Sequence, residues 1–394
     1  MQPGAAWARS GVVALTGHPD GPPLVPPGRA ATRAAELADL FAEVTGVRVY
    51  GPALLSERAA YTGHRRHGRV SAGGSCRLLP MADGWAAVSC ARPGDPLLLG
   101  ALIEAELPDD PWPAIAAWLR AHPGADLAER AELLGVAAAP IAPPAARPPR
   151  LGSARRSVAG LRVVDFSALW AGPLCAHLLG LAGADVVKIE TPQRPDGARR
   201  GNPDFYRLLH AGHRSVVLDP ETAAGRRAMA TLVDAADIVI EASRPRALAG
   251  FGLDAAAAGA TWVSITAAGR GSHRVGFGDD VAAAAGLVAM DANGEPVFCG
   301  DAIADPLTGL FAAALAVTVP AGTLLDIPMA GVVADTLGTE SGGPARQVGT
   351  DWVVDTIDGP VPVTEPRRRP VEGHAPESGA DTTAVLAELG VPVP

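Results

Sequence analysis

The sequence is poor in aromatic residues, in cysteine and in net positive charge. Only 4% of its 394 residues are aromatic, and its formal net charge is -9. A nucleic-acid partner is not expected, because binding to a phosphate backbone requires a basic surface. No run reaches the roughly 18 uncharged apolar residues of a membrane span, and the N-terminus lacks the pattern of a signal peptide. The prediction is a cytoplasmic protein without membrane contact.

The four cysteines lie far apart and form neither a CxxC metal motif nor the dense disulfide framework of a small secreted domain. Reduced thiols and no bound metal are therefore predicted. Cys299 lies in an apolar run with no histidine near it in sequence to activate the thiol, which indicates a core residue rather than a nucleophile.

A proline-rich stretch is the clearest boundary in the chain. Five of the twelve residues from 139 to 150 are proline, which favours extended backbone and a semi-rigid linker. Four segments are predicted: a first block, a linker, an α/β segment, and a C-terminal tail that packs back on the core. They comprise residues 1–138, 139–157, 158–330 and 331–394.

The first block has the pattern of a small mixed α+β domain. Residues 29–45 and 112–135 are rich in alanine and leucine and are predicted as helices. The segment GWAAVS from Gly84 follows an Ala-Asp turn and is predicted as a strand.

The α/β segment alternates short apolar strands with helices, which indicates a Rossmann-like parallel sheet with flanking helices. One helix is predicted after Gly172-Pro173, where free backbone amides can bind an anion, and another from Thr222. The predicted strands are LRVVDFS from Leu161, DVVKIE from Asp185, DIVIEA from Asp237 and WVSIT from Trp262.

A self-comparison indicates a remnant repeat. The stretch from Gly11 resembles the stretch from Gly286, and when Pro23 is aligned with Pro296, Asp305 stands where the first copy has Thr32. Only one copy therefore carries a carboxylate, so at most one is chemically active. A lone aspartate before a proline is also compatible with a helix cap or a turn.

Two stretches carry a resemblance to a known family. RVVDFSALWAGPLCAHLLGLAGADVVKIETP from Arg162 resembles the opening βαβ unit of class III CoA-transferases, the family that includes formyl-CoA and carnitine CoA-transferases and α-methylacyl-CoA racemase. CGDAIADPLTG from Cys299 resembles the stretch that carries the acyl-accepting aspartate of that family. The resemblance implies that Asp305 is this residue, with an acyl-CoA thioester and a free carboxylic acid as substrates.

The resemblance also implies a homodimer and coenzyme A as a substrate, with no permanently bound cofactor. The first block is similar to the part of the family that normally follows the aspartate, so the chain resembles a permuted or partly duplicated arrangement. Its glycine-rich stretch with Gly73 and Gly74 is then a candidate loop over the reacting centre. The predicted coenzyme A contacts are Trp170, Ala171, Lys188, Arg194, Arg214 and Arg244.

The predicted chemistry is covalent catalysis by one carboxylate, in which an aspartyl anhydride is converted to an aspartyl-CoA thioester. Two alternatives stay open. One is an acyl-CoA racemase or isomerase, in which Asp279 and Asp280 stand where racemases have a His-Asp pair and share the acid and base roles. The other is a non-catalytic CoA-binding subunit. A nicotinamide dehydrogenase is disfavoured because no GxGxxG motif joins a strand to a helix.

Overall fold

The computed structural model describes residues 2–242, 245–255, 259–338 and 342–393. No helix within these ranges is long and apolar enough to cross a bilayer. The first block consists of helices around one antiparallel sheet, in the strand order β1-β2-β3. Its helices are α1 Pro3–Arg9, α2 Ala30–Thr45, α3 Gly51–Leu54, α4 Glu57–Thr62, α5 Asp95–Ile103, α6 Trp112–Ala121 and α7 Gly124–Leu134, and its strands are β1 Cys76–Pro80, β2 Trp85–Ser89 and β3 Ala138–Pro140.

The predicted helix over residues 112–135 is two helices in the structure. Helix α6 ends at Ala121, and α7 begins at Gly124. The interruption occurs at Pro123, because proline lacks the amide hydrogen and disfavours helical backbone in the residue before it. His122 accordingly has an extended backbone, with ψ at 144°.

The α/β segment contains a six-stranded parallel sheet and a two-stranded antiparallel hairpin, β9 with β10. Its strands are β4 Arg162–Asp165, β5 Asp185–Glu190, β6 Arg214–Val217, β7 Ile238–Glu241, β8 Thr261–Thr266, β9 Val288–Met290, β10 Pro296–Phe298 and β11 Leu324–Pro328. Its helices are α8 Ala171–Leu181, α9 Pro203–His210, α10 Ala223–Asp234, α11 Pro245–Gly250, α12 Gly278–Ala284, α13 Ala304–Ala316 and α14 Met329–Ala334.

The order of strands in the large sheet is β11-β8-β7-β4-β5-β6, and every neighbouring pair is parallel. The chain starts at the centre, builds one half outward to β6, then crosses back to build the other half. This is the Rossmann order, in which ligands bind beyond the carboxyl ends of the central strands where the direction of winding changes. The α/β fold prediction is confirmed, and α8 begins at that switch point, directly after β4.

Helix α13 is the central buried helix of the molecule. It packs against α8 on one side and against α2 of the first block on another. A β-carbon on Gly309 would lie 2.5 Å from the carbonyl oxygen of Ala171, so glycine is needed for this close approach to the first turn of α8. The two copies of the remnant repeat thus supply neighbouring helices of one shared hydrophobic core.

The proline-rich linker is attached to the surface along much of its length. Its first residues belong to β3, and beyond them the amide of Ala142 donates to the carbonyl oxygen of Ala284. The amides of Ala154 and Arg156 then bond to the end of α13.

The tail adds a three-stranded antiparallel sheet beside α1 and a last helix beside β6. These elements are β12 Arg346–Val348, β13 Asp351–Thr356, β14 Gly359–Pro362 and α15 Thr382–Glu388.

Candidate functional site

Asp305 lies in the first turn of α13 and is partly exposed to solvent. Its amide donates to the carbonyl oxygen of Ala302 at 2.9 Å, and Ala302 has a left-handed backbone with φ at 46°. A non-glycine residue in this region is uncommon and marks a backbone that its surroundings hold in place. The start of a helix favours a negative charge, so the position suits a carboxylate.

Asp305 belongs to a cluster of four carboxyl groups, which we call the aspartate cluster. Asp279 accepts a hydrogen bond from the amide of Ala302 at 2.8 Å and so fixes the turn that precedes Asp305. Asp280 accepts from the amide of Phe277 at 2.8 Å at the start of α12. The members of the cluster are Asp279, Asp280, Asp301 and Asp305.

The first block supplies basic side chains to this cluster. Arg58, on α4, donates from Nε to Oδ2 of Asp301 at 2.9 Å, and a second guanidinium nitrogen contacts the other carboxylate oxygen. This is a bidentate, charge-assisted contact with a carboxylate that is completely buried. His64 lies on the same side, with its Nδ1 3.3 Å from Oδ2 of Asp301.

Burial and mutual repulsion separate the proton affinities of the four carboxyl groups. Burial would raise the pKa of Asp301, but the Arg58 guanidinium outweighs it and holds this pKa well below its usual range. Burial raises the pKa of Asp279 to about 6 and that of Asp280 to about 7. Burial also raises the pKa of Asp305 to about 7; Arg58 opposes this rise, and the other three carboxylates add to it. Asp305 can therefore exchange between its charged and neutral forms near neutral pH.

Trp170 and Ala171 stand where α8 begins, and both side chains are buried. The Arg58 guanidinium lies over the Trp170 ring, 5.2 Å from its centroid, which joins the aspartate cluster to the start of α8. Leu169, just before them, has a left-handed backbone with φ at 70° and an exposed side chain. The structure thus brings these predicted residues to the same region as Asp305.

The glycine-rich stretch after α4 also approaches the cluster. A β-carbon on Gly73 would lie 3.5 Å from the His64 ring and 3.7 Å from the Arg58 guanidinium, whereas Gly74 faces open space. Ser71, two residues earlier, hydrogen-bonds to Asp279. Gly73 therefore lies against the two basic residues that contact Asp301.

The predicted phosphate contacts fall into different environments. Lys188, the only lysine in the sequence, is buried, and its Nζ lies 2.9 Å from both Asp196 and the Ser167 carbonyl oxygen. Its charge is thus committed to an internal ion pair. Arg214 lies at the amino end of β6, on the edge of the sheet opposite to the start of α8, and pairs with Asp185 and Glu388.

Arg194, another predicted phosphate contact, lies at the opposite edge of the sheet from Arg214. It follows the carboxyl end of β5, on the same edge as the start of α8, and its side chain is exposed. Arg244 follows the carboxyl end of β7 in sequence and lies outside the described residues. No set of three or more histidine, cysteine, aspartate or glutamate side chains in the described ranges is placed to hold a metal ion.

Sequence comparison identifies the segment that carries this geometry, because residues 158–320 match the model of "CoA-transferase family III". This segment is similar to CoA-transferase family III, and we call it the family III domain. The predicted resemblance to class III CoA-transferases is thereby confirmed, and the domain contains Asp305, the rest of the aspartate cluster and five of the six strands of the large parallel sheet, all but β11. Arg58, His64 and Gly73 lie outside it.

Two relatives with assigned names match parts of the chain. A succinate–glutarate CoA-transferase of Agrobacterium fabrum is 31% identical over 177 residues, which cover 39% of this chain and 44% of that protein. A formyl-CoA:oxalate CoA-transferase of Escherichia coli is 38% identical over 96 residues, 23% of each chain. The chain thus spans less than half the length of these relatives.

Solved structures are similar over larger shares of the chain. A hypothetical protein from Mycobacterium tuberculosis aligns over 45% of this chain and 56% of its own, with 27% identity and a TM-score of 0.42. A CaiB/BaiF family protein from Brucella suis aligns over 61% of this chain and all of its own, with 18% identity and a TM-score of 0.46.

Three residues of the site were not found by sequence reasoning. Asp301 lies four residues before Asp305, and its position next to Gly300 was the available signal. Arg58 and His64 gave no sequence signal, because their partner Asp301 is more than 230 residues away in the chain. Only the packing of α4 against the family III domain brings them to the aspartate cluster.

Proposed function

We propose that the protein is a CoA-transferase that moves coenzyme A from an acyl-CoA thioester to a free carboxylic acid, with Asp305 as the acyl-accepting residue. The single observation that carries the proposal is the position of Asp305 in the family III domain. It is a partly exposed carboxylate at a helix start, beside three buried carboxyl groups. A carboxylate with a pKa near 7 is a better nucleophile than an ordinary one and is still substantially ionised at neutral pH.

The proposed cycle has four steps, and all of them occur at carbonyl carbons. The Asp305 carboxylate attacks the thioester carbonyl, and CoA thiolate leaves to give a mixed anhydride. The thiolate then attacks the Asp305 carbonyl and releases the first acid, which leaves an aspartyl-CoA thioester. The second acid attacks this thioester and expels the thiolate, which finally attacks the new acyl carbonyl. The new acyl-CoA forms, and the Asp305 carboxylate is regenerated.

The surroundings of Asp305 support this cycle. The Arg58 guanidinium lies close enough to lower the pKa of Asp305 and so favours the ionised nucleophile. We propose that the stretch with Gly73 and Gly74 covers the intermediates and excludes water, which would hydrolyse an anhydride. Arg194 and Arg244 are the proposed phosphate contacts, and a homodimer remains a prediction.

Trapping of the acyl-enzyme tests the proposal. Incubation with a panel of acyl-CoAs followed by hydroxylamine should convert Asp305 to a hydroxamate that peptide mass spectrometry detects. The Asp305→Asn variant keeps the side-chain volume and removes the anionic nucleophile, so it should lose both the label and acyl exchange. Transfer by that variant at the wild-type rate would refute the assignment, and a protein that binds CoA without either reaction would be a non-catalytic subunit.

A second candidate is an acyl-CoA racemase or isomerase, and one contact favours it. His64 is partly exposed and lies 3.3 Å from the ionised Asp301, as a histidine acting as acid and base would. Asp279 and Asp280, which the sequence suggested for this role, are instead buried and bonded to backbone amides. Incorporation of solvent deuterium at the α-carbon of a 2-methylacyl-CoA, without any free acid, would identify this activity.

A further inference from the structure

The aspartate cluster depends on a cation that comes from outside the family III domain. Arg58 binds Asp301 in bidentate fashion and lies over the Trp170 ring. It is carried by α4, a helix of only six residues, which is too short to be stable without tertiary contacts. The placement of Arg58 therefore depends on what fixes α4.

The residue next to Arg58 is fixed by the C-terminal tail. Glu57 is buried, with 2% of its side chain exposed. Arg369 donates to it three times: from the backbone amide at 3.1 Å and from Nε at 2.7 Å to Oε1, and from Nη2 at 2.8 Å to Oε2. A bidentate contact between a guanidinium and a buried carboxylate holds both side chains in a fixed geometry.

Arg369 also contacts the other side of the site. Its Nη1 lies 3.3 Å from Nε2 of His177, which is on α8 and is buried. Its carbonyl oxygen accepts a hydrogen bond from the Tyr61 hydroxyl at 2.9 Å. Burial and the positive charge of Arg369 hold the pKa of His177 well below its usual range, so this histidine is neutral and can accept a hydrogen bond from Arg369.

We infer that Arg369 is a positioning residue of the Asp305 site, because it clamps α4 against α8 and so fixes the Arg58 guanidinium beside the aspartate cluster. Its catalytic importance rests on the proposed function, since it acts on the same carboxylate. The charged groups around Asp305 are Arg58 from α4, Asp279 and Asp280 from α12, and Asp301 from the turn before α13. Arg58 is the one among these that favours the ionised form.

Loosening the clamp should therefore make Asp305 hold its proton more tightly. If the titration midpoint of Asp305 rises by about one pH unit, the ionised fraction of Asp305 at pH 7 falls from about a half to roughly a tenth. Activity that needs the ionised carboxylate then falls about fivefold. Raising the pH should restore most of the lost activity, because the carboxylate itself is intact. A residue that only stabilised the fold would not move this midpoint.

The test compares Arg369→Gln with Arg368→Gln in the full chain. Arg368 is the matched control, because it also contacts α4, at the Ala60 carbonyl oxygen and the Tyr61 ring, whereas the contacts that join Glu57 to His177 of α8 come from Arg369. The titration midpoint of Asp305 is measured by carbon NMR on aspartate-labelled protein, with Asp305→Asn for assignment. The pH dependence of acyl exchange is measured in parallel. The Arg369 variant should raise both midpoints, and the Arg368 variant should leave both unchanged.

A second variant covers the case in which Arg369→Gln leaves Glu57 unpaired and does not fold. The double variant Glu57→Gln/Arg369→Gln removes both charges and leaves no buried unpaired carboxylate. It should show the same upward shift of the Asp305 midpoint. A wild-type midpoint in a folded Arg369 variant, single or double, overturns the inference. If the NMR midpoint of Asp305 rises in the Arg369 variant but the wild type shows no acyl exchange, the positioning role of Arg369 stands and the proposed function is wrong.

Discussion

Gly278 lies against Asp305 so closely that a β-carbon on its backbone would stand 2.5 Å from Oδ2 of the carboxylate. The same atom would be closer still to the carbonyl oxygen of Ala302. The first residue of α12 must therefore lack a side chain for the Asp305 carboxylate to occupy its position in the aspartate cluster. Both neighbours would have to shift to admit a methyl group, and one of them is backbone.

The variant Gly278→Ala should accordingly lose acyl exchange and lower the free energy of unfolding by about 1 to 3 kcal/mol, as overpacking of a closely packed interior does. Urea unfolding and acyl exchange measure the two effects. Gly271→Ala is the control, because a β-carbon there would meet no atom within 4 Å. Equal activity of the two variants would show that the carboxylate does not need the space that Gly278 leaves.

The raised pKa of Asp305 predicts a pH-dependent stability. Because the pKa of Asp305 is about 7 in the folded state and ordinarily 3.8, the folded state binds this proton more tightly than the unfolded state does. Proton binding therefore stabilises the folded state, and this stabilisation is lost as the pH rises through 7. Asp305→Asn should therefore be more stable than wild type at pH 8, by about 1 to 3 kcal/mol, with the difference vanishing below about pH 4. Urea unfolding at several pH values measures it, and a constant difference would contradict the shift.

Arg194 and Arg214 lie at opposite edges of the sheet, so replacing each by alanine should have different effects on coenzyme A binding and on stability. Arg194→Ala should weaken coenzyme A binding by about 1.5 to 3 kcal/mol, the effect of one lost charge-assisted contact, without changing stability. Arg214→Ala should leave binding unchanged and cost at most about 1 kcal/mol of stability, because its pairs with Asp185 and Glu388 are partly solvated. Calorimetric titration with coenzyme A separates the outcomes. Weaker binding in the Arg214 variant alone would place the phosphates elsewhere.

The same titration applies to the prediction for Arg244. Arg244→Ala should weaken coenzyme A binding by about 1.5 to 3 kcal/mol without unfolding the protein, because its segment follows the carboxyl end of a strand next to the switch point. The Arg214 variant serves as its control as well. Unchanged affinity would reject this contact.

The first block and the rest of the chain should not be stable apart. One hydrophobic core joins Leu37 and Phe41 of α2 to Leu307 and Leu310 of α13. Residues 151–394 expressed alone should therefore bind a hydrophobic dye and melt without a cooperative transition, and coexpression with residues 1–150 should restore both properties. A monomeric, active and cooperatively melting fragment would show that the family III domain is self-sufficient.

Local sequence determined the α/β segment because its signals act over short distances. Short apolar runs separated by helical stretches, with Thr222 as a helix cap that accepts from the amide of Gly225, predict strands and helices that the structure confirms. The break between α6 and α7 also has a local signal, Pro123, although the prediction was a single helix over residues 112–135. Strand β6, short and flanked by polar residues, lacked the continuous apolar run that identifies a buried strand.

The sequence alone also singled out Asp305, through a pattern of residues that lie close together in the chain. Its chemical setting was decided by tertiary structure. Arg58 and Arg369 reach the site from opposite ends of the chain, and the proton affinity of Asp305 depends on how deeply packing buries it and on which charges packing places around it. Neither burial nor the distance between residues 58 and 301 is a property of any local stretch, because both arise only when α4, α8, α12 and α13 pack into one core.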